Sequence, residues 1–142
     1  MKTRGGGACF SDRSQANLAT CDERLQEVFE RVVEHFDCTI LEGHRDEARQ
    51  NQMISEGKSQ LGWPNSNHNA SPSSAVDVAP YPVDWSNRDR FHLFVGYVMG
   101  IARSLGYPLR WGGDWDADTE TNDNRFDDLE RIQFNPVHIR LR

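Results

Sequence analysis

The stretch NHNASPSSAVDVA, Asn67–Ala79, decides how this chain is read. Its second half is a short strand candidate, Ala75–Ala79, closed by Pro80 and Pro82. Side chains alternate along a strand, so Val76 and Val78 share one face while Ala75, Asp77 and Ala79 share the other. An ionised carboxylate between small residues on a sheet face is costly unless it is paired or holds a metal. His68 lies in the loop that feeds this strand. A His, an Asp and a second His, with one position open to water, form a sound catalytic zinc set. The second His must come from elsewhere in the chain. His138 is the candidate, because His35, His44 and His92 sit in or beside helices. An ordinary hydrogen-bonded His–Asp pair is the competing reading of His68 and Asp77.

Working outward, residues 58–74 are rich in Gly, Pro, Asn and Ser and read as loop. Upstream, Thr20-Cys21-Asp22-Glu23 reads as a capping box opening a helix whose apolar face is Leu25, Val28, Phe29, Val32, Val33 and Phe36. Cys38–Leu41 is a strand candidate, and Asp46 to about Glu56 a polar helix closed by Gly57. Downstream, Ser86-Asn87-Arg88-Asp89 starts a helix with Phe91, Phe94, Val95, Val98, Met99, Ala102 and Leu105 on one face, stopped at Gly106. Leu109–Trp111 and Val137–Leu141 are further strand candidates, the latter placing His138 and Arg140 on its polar side. Residues 1–19 read as a loosely structured lead-in to a single domain spanning 1–142. The expectation is an α+β fold, a small antiparallel sheet packed with about three helices.

Composition narrows the function. The 142 residues suffice for one core, and four Trp and seven Phe argue against disorder. A formal charge of −6 with no Lys/Arg cluster speaks against a nucleic-acid partner. No run approaches the roughly 18 apolar residues of a membrane span. The basic start MKTRGGGACFSDR lacks an apolar core, so synthesis in a cytoplasm without a signal peptide is expected. Cys9, Cys21 and Cys38 have no CxxC spacing and read as thiols rather than a disulfide framework.

Several blocks, taken in order, resemble one family. Ser66-Asn67-His68 and Ala75-Val76-Asp77-Val78 are similar to the Ser-x-His and Ala-x-Asp-[ILV] signature of the zinc D,D-/L,D-peptidases. That family comprises VanY-like carboxypeptidases and phage L-alanyl-D-glutamate endolysins of the hedgehog/DD-peptidase fold. The His-to-Asp spacing is two residues longer than in its commonest version, and His68–Trp85 is close to a phage subgroup reading HNxxPSxAVDxAPYPxDW. Glu42-Gly43-His44-Arg45-Asp46 with Gln50, Gly57-Lys58-Ser59, and Arg110–Trp115 (RWGGDW) resemble further family segments. The resemblance implies His68 and Asp77 as zinc ligands and Arg45 as the cation that steadies the substrate carbonyl or its oxyanion. It implies peptidoglycan stem peptides as substrate, cleaved at the cell wall by a phage-type endolysin, and a holin-like partner that provides passage to the wall. A monomer is expected. Ser66 is read either as support for His68 or as a loop cap, and Trp111 and Trp115 either as cleft wall or as core.

The family usually ends in [DE]-x-x-His-[FVI]-x-[LV], which supplies the general base and the third ligand. Two stretches compete for that role. Phe126–Phe134 has the shape of the phage ending FxDLxHFQL, but Arg131 stands at the ligand position and, always protonated, cannot bind zinc. Asn135–Leu141 supplies His138, but Asn135 stands where the base belongs. The ligand set His68, Asp77 and His138 is therefore expected, with Asp128, or else Asp127 or Glu130, as base. Asp114–Glu130 holds eight acids in seventeen residues and reads as a solvated acidic loop, with calcium as the alternative. Two other functions stay open: a D-Ala-D-Ala carboxypeptidase using the same site, and a catalytically weak, zinc-stabilised wall-binding domain.

Overall fold

The computed structural model describes residues 9–112 and 128–134. In order, the elements are α1 (Asp12–Leu18), α2 (Glu23–Val33), β1 (Cys38–Glu42), α3 (Glu47–Ser55), a 3-10 turn (Asn67–Asn69), β2 (Ala75–Pro80), α4 (Arg88–Ser104), β3 (Leu109–Gly112) and β4 (Asp128–Phe134). The four strands form one sheet in the order β1-β2-β4-β3, every neighbour antiparallel. The α+β expectation holds, with four helices among the described residues.

The core is built by two amphipathic helices against one sheet face. Leu25, Val28, Phe29 and Val32 of α2 and Phe91, Phe94 and Val98 of α4 are buried with Val76 and Val78 of β2 and Ile132 of β4. Phe36 packs on Phe94 edge-on, with ring centres 5.1 Å apart. Central position explains why β2 is buried along its whole length. One face meets this core, and the other is covered by the segments carrying Gly43, Arg45 and His68. Gly106, at φ 80°, ends α4 as its sequence suggested. Among the described residues no helix is long and apolar enough to cross a membrane.

Three expectations change. Within the lead-in read over residues 1–19, Asp12–Leu18 forms a helix capped by Ser11. Its polar residues tie it to the edge strand: Ser14 Oγ accepts from Ile40 N at 3.1 Å, and Asn17 Nδ2 donates to the carbonyls of Ile40 and Leu41 at 2.8 and 3.2 Å. These bonds cover groups that an edge strand would otherwise leave open. Next, α2 is capped by Asp22, which accepts from Arg24 N at 2.9 Å, and not by Thr20. Thr20 is used elsewhere, donating to Asn17 O at 2.7 Å and accepting from His44 N at 2.8 Å. Finally, Asp128–Phe134 is a strand that sequence patterning did not reveal, because charged residues interrupt it. The candidate strand Val137–Leu141, the acidic segment 114–127 and Trp115 lie outside the described residues. Trp111 is core: it is buried and meets the His92 ring edge-on at 5.1 Å.

Cys21 and Cys38 are buried thiols. Burial pushes the Cys21 thiol up to about 12, outweighing the lowering effect of the Thr20 hydrogen bond, so it stays neutral and unsuited to nucleophilic work.

Gly43 sits where α1, the Thr20 turn and β1 converge. A Cβ there would overlap Thr20 Oγ1 and come within 2.5 Å of the Asn17 carbonyl oxygen and 2.9 Å of Cys21 Sγ. Gly43→Ala is expected to cost about 2–3 kcal/mol of stability in urea unfolding. A midpoint equal to that of the wild type would contradict this packing.

Candidate active site

His68 is presented by the short 3-10 turn, and the turn is itself a hydrogen-bonded unit. Ser66 Oγ accepts from His68 N at 3.2 Å, while Asn69 Oδ1 accepts from Ser66 N at 3.0 Å. The turn is tied to the segment after β1, where Arg45 N donates to His68 O at 2.7 Å and Asn69 Nδ2 donates to Arg45 O at 3.0 Å. Ser66 thus acts as the cap of the turn that holds His68.

The imidazole is fully buried. Its Nδ1 lies 2.8 Å from the carbonyl oxygen of Gly43, an acceptor only, so Nδ1 carries the proton. Nε2 is thereby aimed at Asp77 Oδ1, 3.2 Å away. A neutral imidazole so oriented sets a lone pair against a carboxylate oxygen. That arrangement calls for a cation or a proton between them, and a backbone carbonyl fixing the far nitrogen is how metal-binding histidines are oriented.

Asp77 is 7% exposed and surrounded by cations. Arg45 NH2 is 3.6 Å from Oδ2, and Arg131 Nε is 3.7 Å from Oδ1. Burial pushes the carboxyl up, but the hydrogen bond and charge that His68 supplies when Nε2 also carries a proton, with the charges of Arg131 and Arg45, outweigh it and hold Asp77 below the ordinary carboxylate range.

Arg45 is also fully buried. Its Nε and NH2 donate to Glu42 Oε1 at 3.2 and 2.9 Å, and its NH1 donates to Gln50 Oε1 at 3.1 Å. Arg49 Nε donates to the other Glu42 oxygen at 2.9 Å. Arg45 therefore faces Asp77 from inside the protein. Its donors are turned to Glu42, Gln50 and Asp77. Gln50 is the buried hub behind it, accepting from Arg45 and Asn69 and donating to Ser59 Oγ at 3.0 Å and Leu61 O at 2.6 Å. Sequence reading placed Gln50 and Ser59 in family segments but gave them no role. It also gave Asn69 no role and did not reveal the charge network around Asp77. Only a polar residue inside a helix that turns out to be buried would have signalled Gln50.

The structure brings together three of the expected site residues, His68, Asp77 and Arg45. His138, Asp127 and Asn135 lie outside the described residues. Asp128 opens β4, its backbone paired with Gly112, and Glu130 is half-buried in the same strand. Within the first of the two competing endings, Asp128–Phe134 pairs with β2, with Arg131 directly opposite Asp77, while residues 135–141 of the second lie outside the described residues. Among the described residues no group of three or more His, Cys, Asp or Glu converges as a metal set. The donor chemistry of His68 Nε2 and Asp77 Oδ1 fits two ligands of a metal. A cavity of about 430 Å³ between α1 and α2, lined by Phe10, Leu18 and Val33 among others, contains none of these groups.

Two measurements check this geometry. Gln50→Leu leaves a buried guanidinium short of a partner and is expected to cost about 2–3 kcal/mol, with faster proteolysis in the 59–66 loop; wild-type stability and cleavage would contradict the hub. For Asp77, a folded pKa below the unfolded one means stability present in full above the unfolded value and lost as pH falls through the folded value. With chelator present, the unfolding free-energy gap between wild type and Asp77→Asn should be constant above about pH 5 and shrink as pH falls below it. A gap that does not change with pH would count against an ionised Asp77.

Comparison with known proteins identifies the family. The family profile described as phage L-alanyl-D-glutamate peptidase matches residues 7–141. The L-alanyl-D-glutamate peptidase of Escherichia phage T5 is 31% identical over 137 residues, covering 93% of this chain and 96% of that protein. A crystal structure of the Serratia marcescens L-Ala D-Glu endopeptidase ChiX superposes with a TM-score of 0.71 at 28% identity, covering 89% of each chain. With its profile match running through nearly the whole sequence, the chain belongs to the phage L-alanyl-D-glutamate peptidase family.

Proposed function

We propose that this protein is a zinc-dependent peptidoglycan endopeptidase that cuts the bond between L-alanine and D-glutamate in the stem peptide, acting at the bacterial wall as a phage endolysin. The observation that carries the reading is the aimed pair, with His68 Nε2 turned onto Asp77 Oδ1 by the Gly43 carbonyl, inside a chain of this family. His68, Asp77 and His138 are the residues proposed to hold zinc. A zinc ion there supplies Lewis acidity, polarising the scissile carbonyl and acidifying water.

The chain's own residues prepare that chemistry. Gly43 fixes the His68 tautomer. Arg45, held by Glu42 and Gln50, keeps Asp77 ionised and oriented, so it is proposed as a positioning residue. The proton-accepting carboxylate is assigned to Asp128 at the head of β4, with Asp127 and Glu130 as its alternates. A holin-type partner would provide passage to the wall.

Digestion of purified peptidoglycan tests the reading. New L-alanine carboxyl termini paired with D-glutamate amino termini are expected. Free D-alanine would instead identify a carboxypeptidase, and wall binding without released fragments a binding domain. His68→Ala is expected to lower the rate by more than the roughly 10–100-fold typical of losing an outer-shell partner, and to lower zinc content with it. Full zinc occupancy in His138→Ala would remove that residue from the ligand set.

A further inference from the structure

Arg131 occupies a position that neither the fold nor the proposed reaction requires of an arginine. In the β2–β4 ladder it stands directly opposite Asp77. Opposed residues of an antiparallel pair project to the same side of the sheet, so register commits this side chain to the Asp77 carboxylate. Its Nε is 3.7 Å from Oδ1, the same oxygen that His68 Nε2 faces at 3.2 Å. The side chain is 17% exposed, and a guanidinium neither deprotonates at working pH nor offers a lone pair to a metal.

We infer that Arg131 is the resident counter-cation of Asp77: the site is charge-balanced without metal, and a divalent ion enters only in competition with the chain's own arginine. The competition rests on the zinc site proposed above, whereas the counter-cation role rests on geometry alone. A buried carboxylate stripped of compensating charge is strongly destabilising. Here Arg45 guards Oδ2 and Arg131 guards Oδ1, so the metal-free site has no such deficit. An ion bound by Oδ1 would meet a fixed positive charge already placed at that oxygen. Metal affinity should then be lower than the His68–Asp77 geometry alone would give, and removing the arginine should exchange metal-free stability for tighter metal binding.

The test uses the full chain as wild type, R131Q, R131H and R131K. Each is melted in chelator and in excess zinc, and zinc affinity is measured by competition with a chromophoric chelator. In chelator, R131Q is expected to lose about 5–10 °C of Tm, most of it restored by zinc. Its zinc affinity should tighten by about tenfold or more once the competing charge is gone, that of R131H further, and that of R131K little. Should R131Q fold only with zinc, that result supports the inference outright. R131Q melting like wild type in chelator would overturn the counter-cation role, and R131Q binding zinc no more tightly than wild type would overturn the competition. If no variant, R131H included, binds zinc while R131Q still loses its Tm, the zinc site falls and the counter-cation role is supported.

Discussion

One buried carboxylate organises this molecule. Asp77 lies in the central β2 strand, and a bare charge there would cost several kcal/mol. The fold meets that cost by surrounding it: His68 from the 3-10 turn, Arg45 from the segment after β1 and Arg131 from β4 all reach its two oxygens. Each comes from a different element, so the carboxylate also couples the turn, the loop and the sheet to one another.

Support for those groups is layered. Arg45 is held by Glu42 and Gln50, Gln50 by Asn69, Ser59 and Leu61, and the turn carrying His68 by Ser66 and Asn69. Nearly every buried polar atom in this network has a named partner, which low-dielectric surroundings demand and which also confers rigidity. Gly43 has two jobs in it. Its missing side chain lets the segment approach Asn17 and Thr20, and its carbonyl sets which nitrogen of His68 faces Asp77.

The departure from the family pattern is concentrated in β4. Arg131 brings a positive charge to the position where the phage ending carries a histidine, and the structure seats that charge against Asp77. In the competition proposed above, metal binding and metal-free stability are linked through one oxygen atom. A metal ligand and a guanidinium both satisfy a buried carboxylate, but only the first leaves a coordination position for chemistry.

Local pattern carried the parts of the fold that rest on periodicity. The apolar faces of α2 and α4, the loop over 58–74 and the short β2 strand with its misplaced-looking acid all follow from spacing and from Gly and Pro. His68 and Asp77 were legible because their residue types make chemical sense only together. Other features were decided by packing between distant segments. The α1 helix is short and polar, and its Ser14 and Asn17 gain meaning only against the edge of β1. The strand Asp128–Phe134 was hidden because Glu130 and Arg131 break the apolar alternation, and it emerges only where Ile132 meets the core while Arg131 meets Asp77. Burial of Arg45 could not be read from its neighbours either, since a charged residue goes inside only when partners from elsewhere neutralise it. Sequence by itself determined which residue types could do chemistry and where the two long amphipathic helices and the loop before β2 lie. Tertiary structure alone decided which charges face one another, because that depends on strand register and on loops brought together across the sheet.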